Sequence, residues 1–234
     1  MFSANIMNLR TLLDYPQGQP GFCEGVAMGG IQAFVLQKAK EKNKIAANDF
    51  ENFVTRVKYI LHHRDVKSLA NTVSDARHKS VNIGRLFEQE KKHLSAQDIA
   101  SFMDSIELYH NPNLYRHVFG EGLSQTDQEK IAYFAQPEEL KNYGGLIEAM
   151  SFFNIYISAL IYNLLEAIGD CAKKHQIDLA FLIENEQHAI ALLFDANMQR
   201  WFSIDLGTLY FDDVFKKQSY DHSKHLLKLF NKII

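Results

Sequence analysis

The feature that most constrains this chain is a change of hydrophobic period near residue 178. Three short, apolar, aromatic-rich runs follow one another there: DLAFLIE at Asp178–Glu184, HAIALLFD at His188–Asp195 and RWFSIDL at Arg200–Leu206. ENEQ and ANMQ separate them, with the composition of turns. Runs of this length, bounded by such segments, read as consecutive antiparallel strands. A short fourth strand is expected at Thr208–Phe211. Before residue 178 the spacing is helical. Residues 22–41 form one apolar run. In 48–63, Phe50, Phe53, Val54, Val57, Ile60 and Leu61 fall on one stripe behind Asn48 or Asp49 as N-cap. Ser95–Tyr109 opens with Ser95 and Asp98 in a capping-box arrangement. Ser124–Gln136 stops before Pro137, a longer helix covers 146–174, and HSKHLLKLFNKII closes the chain as an amphipathic helix. No repeat, low-complexity linker or boundary interrupts this order. The expectation is one α+β domain over 1–234, with a helical lobe over about 1–175 packed on an antiparallel sheet lobe over about 176–234.

Composition then removes whole classes of function. With 25 basic and 28 acidic residues the net charge is −3, which gives no electrostatic case for a nucleic-acid partner or an anionic membrane. At 234 residues a core needs neither metal nor disulfide, and the two cysteines, Cys23 and Cys171, suit a reducing compartment. The start, MFSANIMNLRTLLDYPQ, lacks the basic and long apolar regions of a Sec signal. Ala149–Gly169 is apolar enough to suggest a membrane span, but Asn154, Asn163 and Glu166 within it favour a buried core helix, so no transmembrane segment is expected. Gly29–Gly30 and Gly144–Gly145 lack the strand context and lysine of a phosphate loop. His62–His63, and His222 with His225, have no cysteine or carboxylate at ligand spacing. No cofactor and no metal are expected.

What remains is thiol chemistry. Cys23 stands in QGQPGFCEG, directly before a helix-like run. A thiol attacks as the thiolate, and a helix N-terminus favours that form. The base it needs is offered by His188, at the opening of the second strand, with Asp205 on the third to orient the ring. If ANMQ is a tight turn, the spacing of 17 positions from His188 to Asp205 brings the two together across a hairpin. The Cys23 backbone N–H and a side-chain amide from Gln17 or Gln19 are candidate oxyanion donors. Competing assignments exist for each residue. Cys23 alone could be a small buried hydrophobe, and Cys171 reads as structural. Asp195 is a rival orienter, but seven residues of extended strand put it about 20 Å or more from His188, so it reads as a turn-starting Asp. Glu24 reads as solvated or as support for the helix start.

The order Cys–His–Asp, with Gln17-Gly18-x-x-Gly21-x-Cys23 at a helix start, resembles the papain-like cysteine proteases. The run QGQPGFCEGVAMGGIQAF, with Gly25 two residues after the cysteine, is most similar to the staphopain-type and YopT-type bacterial effector peptidases. His188–Ala189, and Trp201–Phe202 ahead of Asp205, also look like the YopT-type ending. The resemblance implies a papain-like fold, Cys23 as nucleophile, His188 as general base and acid, Asp205 as orienter and Gln17 as oxyanion donor. It implies a cysteine peptidase acting on a protein or peptide, either cytoplasmic or exported to a host cell as an effector. The same triad could serve a glutamine deamidase or transglutaminase, or persist in a silent binding module. The sequence departs from the family at Glu24, where papain has an aromatic residue. The distance of 165 positions from Cys23 to His188 exceeds the ~130–150 usual for papain-type enzymes, and the surplus falls in the helical middle.

Overall fold

Seven consecutive residues of HAIALLFD are buried, so this segment needs a neighbour on both faces and both edges. The structure, a computed structural model, describes residues 3–16, 22–79, 95–110, 158–184 and 188–206. In it β1 (Leu179–Glu184), β2 (Ala189–Asp195) and β3 (Arg200–Ile204) form an antiparallel sheet in the order β1-β2-β3, with β2 central. Register is set by pairs such as Phe181 with Leu192 and Leu193 with Phe202. Residues 196–199 make the β2–β3 turn. Asp195 starts it by accepting the Met198 N–H at 2.8 Å, and Asp178 accepts the Ala196 N–H at 2.9 Å.

Five described helices precede the final helix: α1 (Ser3–Leu12), α2 (Phe22–Lys42), α3 (Asp49–His62), α4 (Val66–Lys79) and α5 (Ala96–His110). The last, α6 (Ser158–His175), leads into the sheet. Alternation along β2 divides the core. Ala191 and Leu193, with Ile204 of β3, face a cluster built from α1 to α5, including Phe22, Val26, Phe34, Phe53, Met103 and Ile106. Ile190, Leu192 and Phe194, with Trp201, face Leu165 and Ala172 of α6. Gly169 of α6 lies against the Trp201 indole. The architecture is α+β, with a small antiparallel sheet carrying helices on both faces.

Local chemistry explains the helix ends. Ser95 and Asp98 form the reciprocal box at the start of α5, each side chain accepting the other's backbone N–H at 2.9 and 3.1 Å. At α3, Asn48 occupies the N-cap without a side-chain cap bond. Gln37 of α2 supplies the acceptor instead, taking the Phe50 N–H at 3.0 Å. Helices α1, α2 and α6 end alike, each with a non-glycine residue at positive φ: Asp14, Lys44 and Gln176. In each, the next N–H reaches back five residues, as Tyr15 does to the Arg10 carbonyl, and so satisfies a free C=O.

Two helices were not foreseen, α1 and α4. In α4, Leu69, Ala70, Val73 and Ala76 are buried at helical spacing, and Asp65 caps the start by accepting the Ser68 N–H. Cys171 is exposed on α6 rather than buried as a structural thiol would be, and neither cysteine is in a disulfide. The expected helices at Ser124–Gln136 and at the C-terminus, the strand at Thr208–Phe211 and the first half of 146–174 lie outside the described residues. No helix among the described residues is long and apolar enough to cross a membrane.

Candidate active site

Cys23 is the second residue of α2, where the first-turn N–H groups have no carbonyl above them. Its partners come from the sheet. Strand β2 begins one residue inside its expected bound and β3 ends two residues inside its own, so His188 immediately precedes β2 and Asp205 immediately follows β3. Continuing the β2–β3 register by one step sets Asp205 across from Ile190, two residues from His188. From there Asp205 reaches back to the ring, with its Oδ1 2.9 Å from His188 Nε2. The Cys23 side chain is hydrogen-bonded to the same imidazole. With Nε2 taken by Asp205, Nδ1 is the ring nitrogen left for the thiol. The chain thiol–imidazole–carboxylate is thus assembled from α2 and the ends of two strands.

Burial is graded along this chain. Asp205 is 1 % exposed, whereas His188 and Cys23 are half-buried. The carboxylate is shut away from water while the sulfur stays reachable, the setting of reactive cysteines. The Asp205 hydrogen bond holds His188 protonated, with a further contribution from Cys23. Together they outweigh burial and push the imidazole up to about 10. The ring is an imidazolium at neutral pH, a cation beside the sulfur.

The rival orienter sits elsewhere. Asp195 ends β2 at the opposite edge of the site's strand, where its Oδ2 pairs with Lys38 Nζ at 2.6 Å. Lys38, near the C-terminal end of α2, also meets Glu41 at 2.7 Å. Burial draws the lysine down, but Asp195 and Glu41 outweigh it and hold it above the ordinary value. One helix therefore carries Cys23 at one end of β2 and locks the other end through Lys38. Gln17 and Gln19, with Gly18 and Gly21, lie outside the described residues, as do His222 and His225.

One group near the site had no signal in the sequence. Arg10 of α1 is 2 % exposed and pairs with Glu107 of α5, which is fully buried. The two residues are 97 positions apart, in NLRTLL and SIELYH, and no spacing rule links them.

Comparison with known proteins finds no matching family model, curated protein or solved structure.

Proposed function

We propose that this chain is a cysteine peptidase of papain-like architecture, in which Cys23, His188 and Asp205 form a catalytic triad. The observation that carries the reading is the continuous hydrogen-bonded chain from the Cys23 side chain through His188 to buried Asp205. A core cysteine has no need of an imidazole, and a core histidine has no need of both a thiol and a buried carboxylate. In the proposed reaction the Cys23 thiolate attacks an amide carbonyl carbon. The oxyanion is met by the Cys23 backbone N–H and by Gln17, the latter on resemblance alone. His188 gives its proton to the leaving amine, leaving an acyl-thioester. Neutral His188 then takes a proton from water as the water attacks, and the thiolate departs. Asp205 keeps the ring oriented throughout. The substrate is a protein or peptide, no cofactor takes part, and the whole chain forms one domain.

Iodoacetamide labelling read by mass spectrometry tests the reactive centre. Cys23 is expected to alkylate well ahead of exposed Cys171 at pH 6, and His188→Ala to remove that advantage. Equal rates at the two cysteines, or an advantage that survives His188→Ala, would sink the reading. Incubation with denatured proteins then separates peptide-bond cleavage from side-chain deamidation, which changes mass without shortening the chain.

A further inference from the structure

Arg10 holds three things at once. Its Nε and Nη2 take the two oxygens of Glu107 at 2.9 and 3.1 Å. Nη2 also donates to the Pro16 carbonyl. The guanidinium carbon sits 5.5 Å from the centre of the Phe22 ring. Pro16 and Phe22 flank residues 17–21, and Phe22 is the residue before Cys23. The turn ending α1 folds back on the same residue, since the Tyr15 N–H reaches the Arg10 carbonyl. On the other side, Glu107 follows Ile106, whose carbonyl lies directly against Gly25. Arg10 and α5 thus grip the first turn of α2 from both directions.

A buried ion pair is a poor way to gain stability, because two apolar side chains of the same volume serve as well or better. A planar guanidinium can, however, fix a carboxylate, a carbonyl and an aromatic ring in one rigid arrangement, which neither lysine nor an apolar residue can do. From this geometry we infer that Arg10 is a positioning residue for the acyl-transfer site. It touches no reacting atom. It fixes where the Cys23 backbone N–H points, and so whether that N–H meets the developing oxyanion. The inference rests on the peptidase reading above.

The experiment compares two reactions of the full chain. p-Nitrophenyl acetate acylates the sulfur through a tetrahedral oxyanion: the C–S bond forms, the ester C–O bond breaks, and nitrophenolate leaves. Iodoacetamide alkylates the same sulfur by direct displacement of iodide, with no oxyanion. In Arg10→Lys, Cys23-dependent acylation is expected to fall on the order of 10- to 100-fold, the cost of displacing a donor or reacting group. Alkylation, which needs no oxyanion donor, should stay within about 3-fold, whereas a merely loosened site would slow both reactions alike. The double variant Arg10→Met/Glu107→Met leaves no unpaired charge, and it should show the same split if the lysine variant does not fold. Equal loss of both reactions, or loss of neither, overturns the inference. If the wild-type chain shows no acylation beyond that of Cys23→Ala, the peptidase reading fails, and the inference fails with it. Wild-type acylation that Arg10→Lys leaves intact removes the inference alone.

Discussion

Gly25 offers the sharpest test of how α2 is seated. A Cβ placed there would lie 2.2 Å from the Ile106 carbonyl oxygen, 2.9 Å from Ile106 Cγ2 and 3.1 Å from the Ile106 carbonyl carbon. The nearest atom belongs to the backbone of α5 and cannot rotate away, so Gly25→Ala must push α2 and α5 apart by about 1 Å to reach ordinary contact. The move is resisted on both helices, because Phe22, Val26, Met103 and Ile106 are all buried in the same cluster. Overpacking of this kind costs about 1–3 kcal/mol, and a rigid backbone neighbour puts the value at the upper end. Alanine's better helix propensity returns about 1 kcal/mol. The net loss is about 2 kcal/mol, which lowers Tm by about 4–8 °C in a chain of this size. Gly30→Ala is the matched control on the same helix. Its Cβ would meet the end of the Ile204 side chain at 2.0 Å and the Phe53 ring at 3.1 Å. Ile204 can change rotamer, so that variant should lose less. Urea and thermal unfolding of the three proteins decide the matter. Gly25→Ala as stable as wild type, or Gly30→Ala the costlier of the two, refutes the close approach of α2 to α5.

Two further outcomes follow from the charged groups. His188 is raised from 6.5 to about 10, chiefly by Asp205, so the folded state binds its proton more tightly than the unfolded state. Its contribution to stability is complete below about pH 6.5 and is lost as pH rises through about 10. The gap in unfolding free energy between wild type and His188→Ala should therefore be largest near pH 6 and close towards pH 10, and a gap that widens with pH contradicts the assignment. Lys38→Met strips the cation from Asp195, whose side chain is 4 % exposed. This should cost about 3–5 kcal/mol in urea unfolding, with part of it recovered in Lys38→Met/Asp195→Asn. A single variant within about 1 kcal/mol of wild type would show that the pair is not buried as described.

The sheet was legible because its strands are short and apolar and are separated by unmistakable turn segments, and β2 and β3 differ from the expected bounds only at their outer ends. The helices α2, α3 and α5 were legible because their apolar stripes are long. Helix α4 escaped because Asn71, Thr72 and Ser74 are weak helix formers, and its stripe rests on small Ala70 and Ala76. Arg10 escaped for a deeper reason. A buried arginine reads in sequence as a solvated one until its carboxylate is known, and Glu107 comes from a helix whose docking no local rule supplies.

The candidate site shows the same division between what pattern decides and what packing decides. Hairpin arithmetic brings His188 and Asp205 together, because only the turn length and register enter. Which face of the sheet they serve is another matter. Strict alternation groups His188 with Ile190, Leu192 and Phe194, on the face covered by α6. Cys23 belongs to α2, which packs on the opposite face with Ala191 and Leu193. The two meet because His188 stands outside the first residue of β2, where the pleat no longer dictates side-chain direction. A histidine two residues further into the strand, in place of Ile190, would be committed to the α6 face and lost to the thiol. The residue that ends a strand's pattern is the one free to leave the sheet, which is why this imidazole stands where alternation stops.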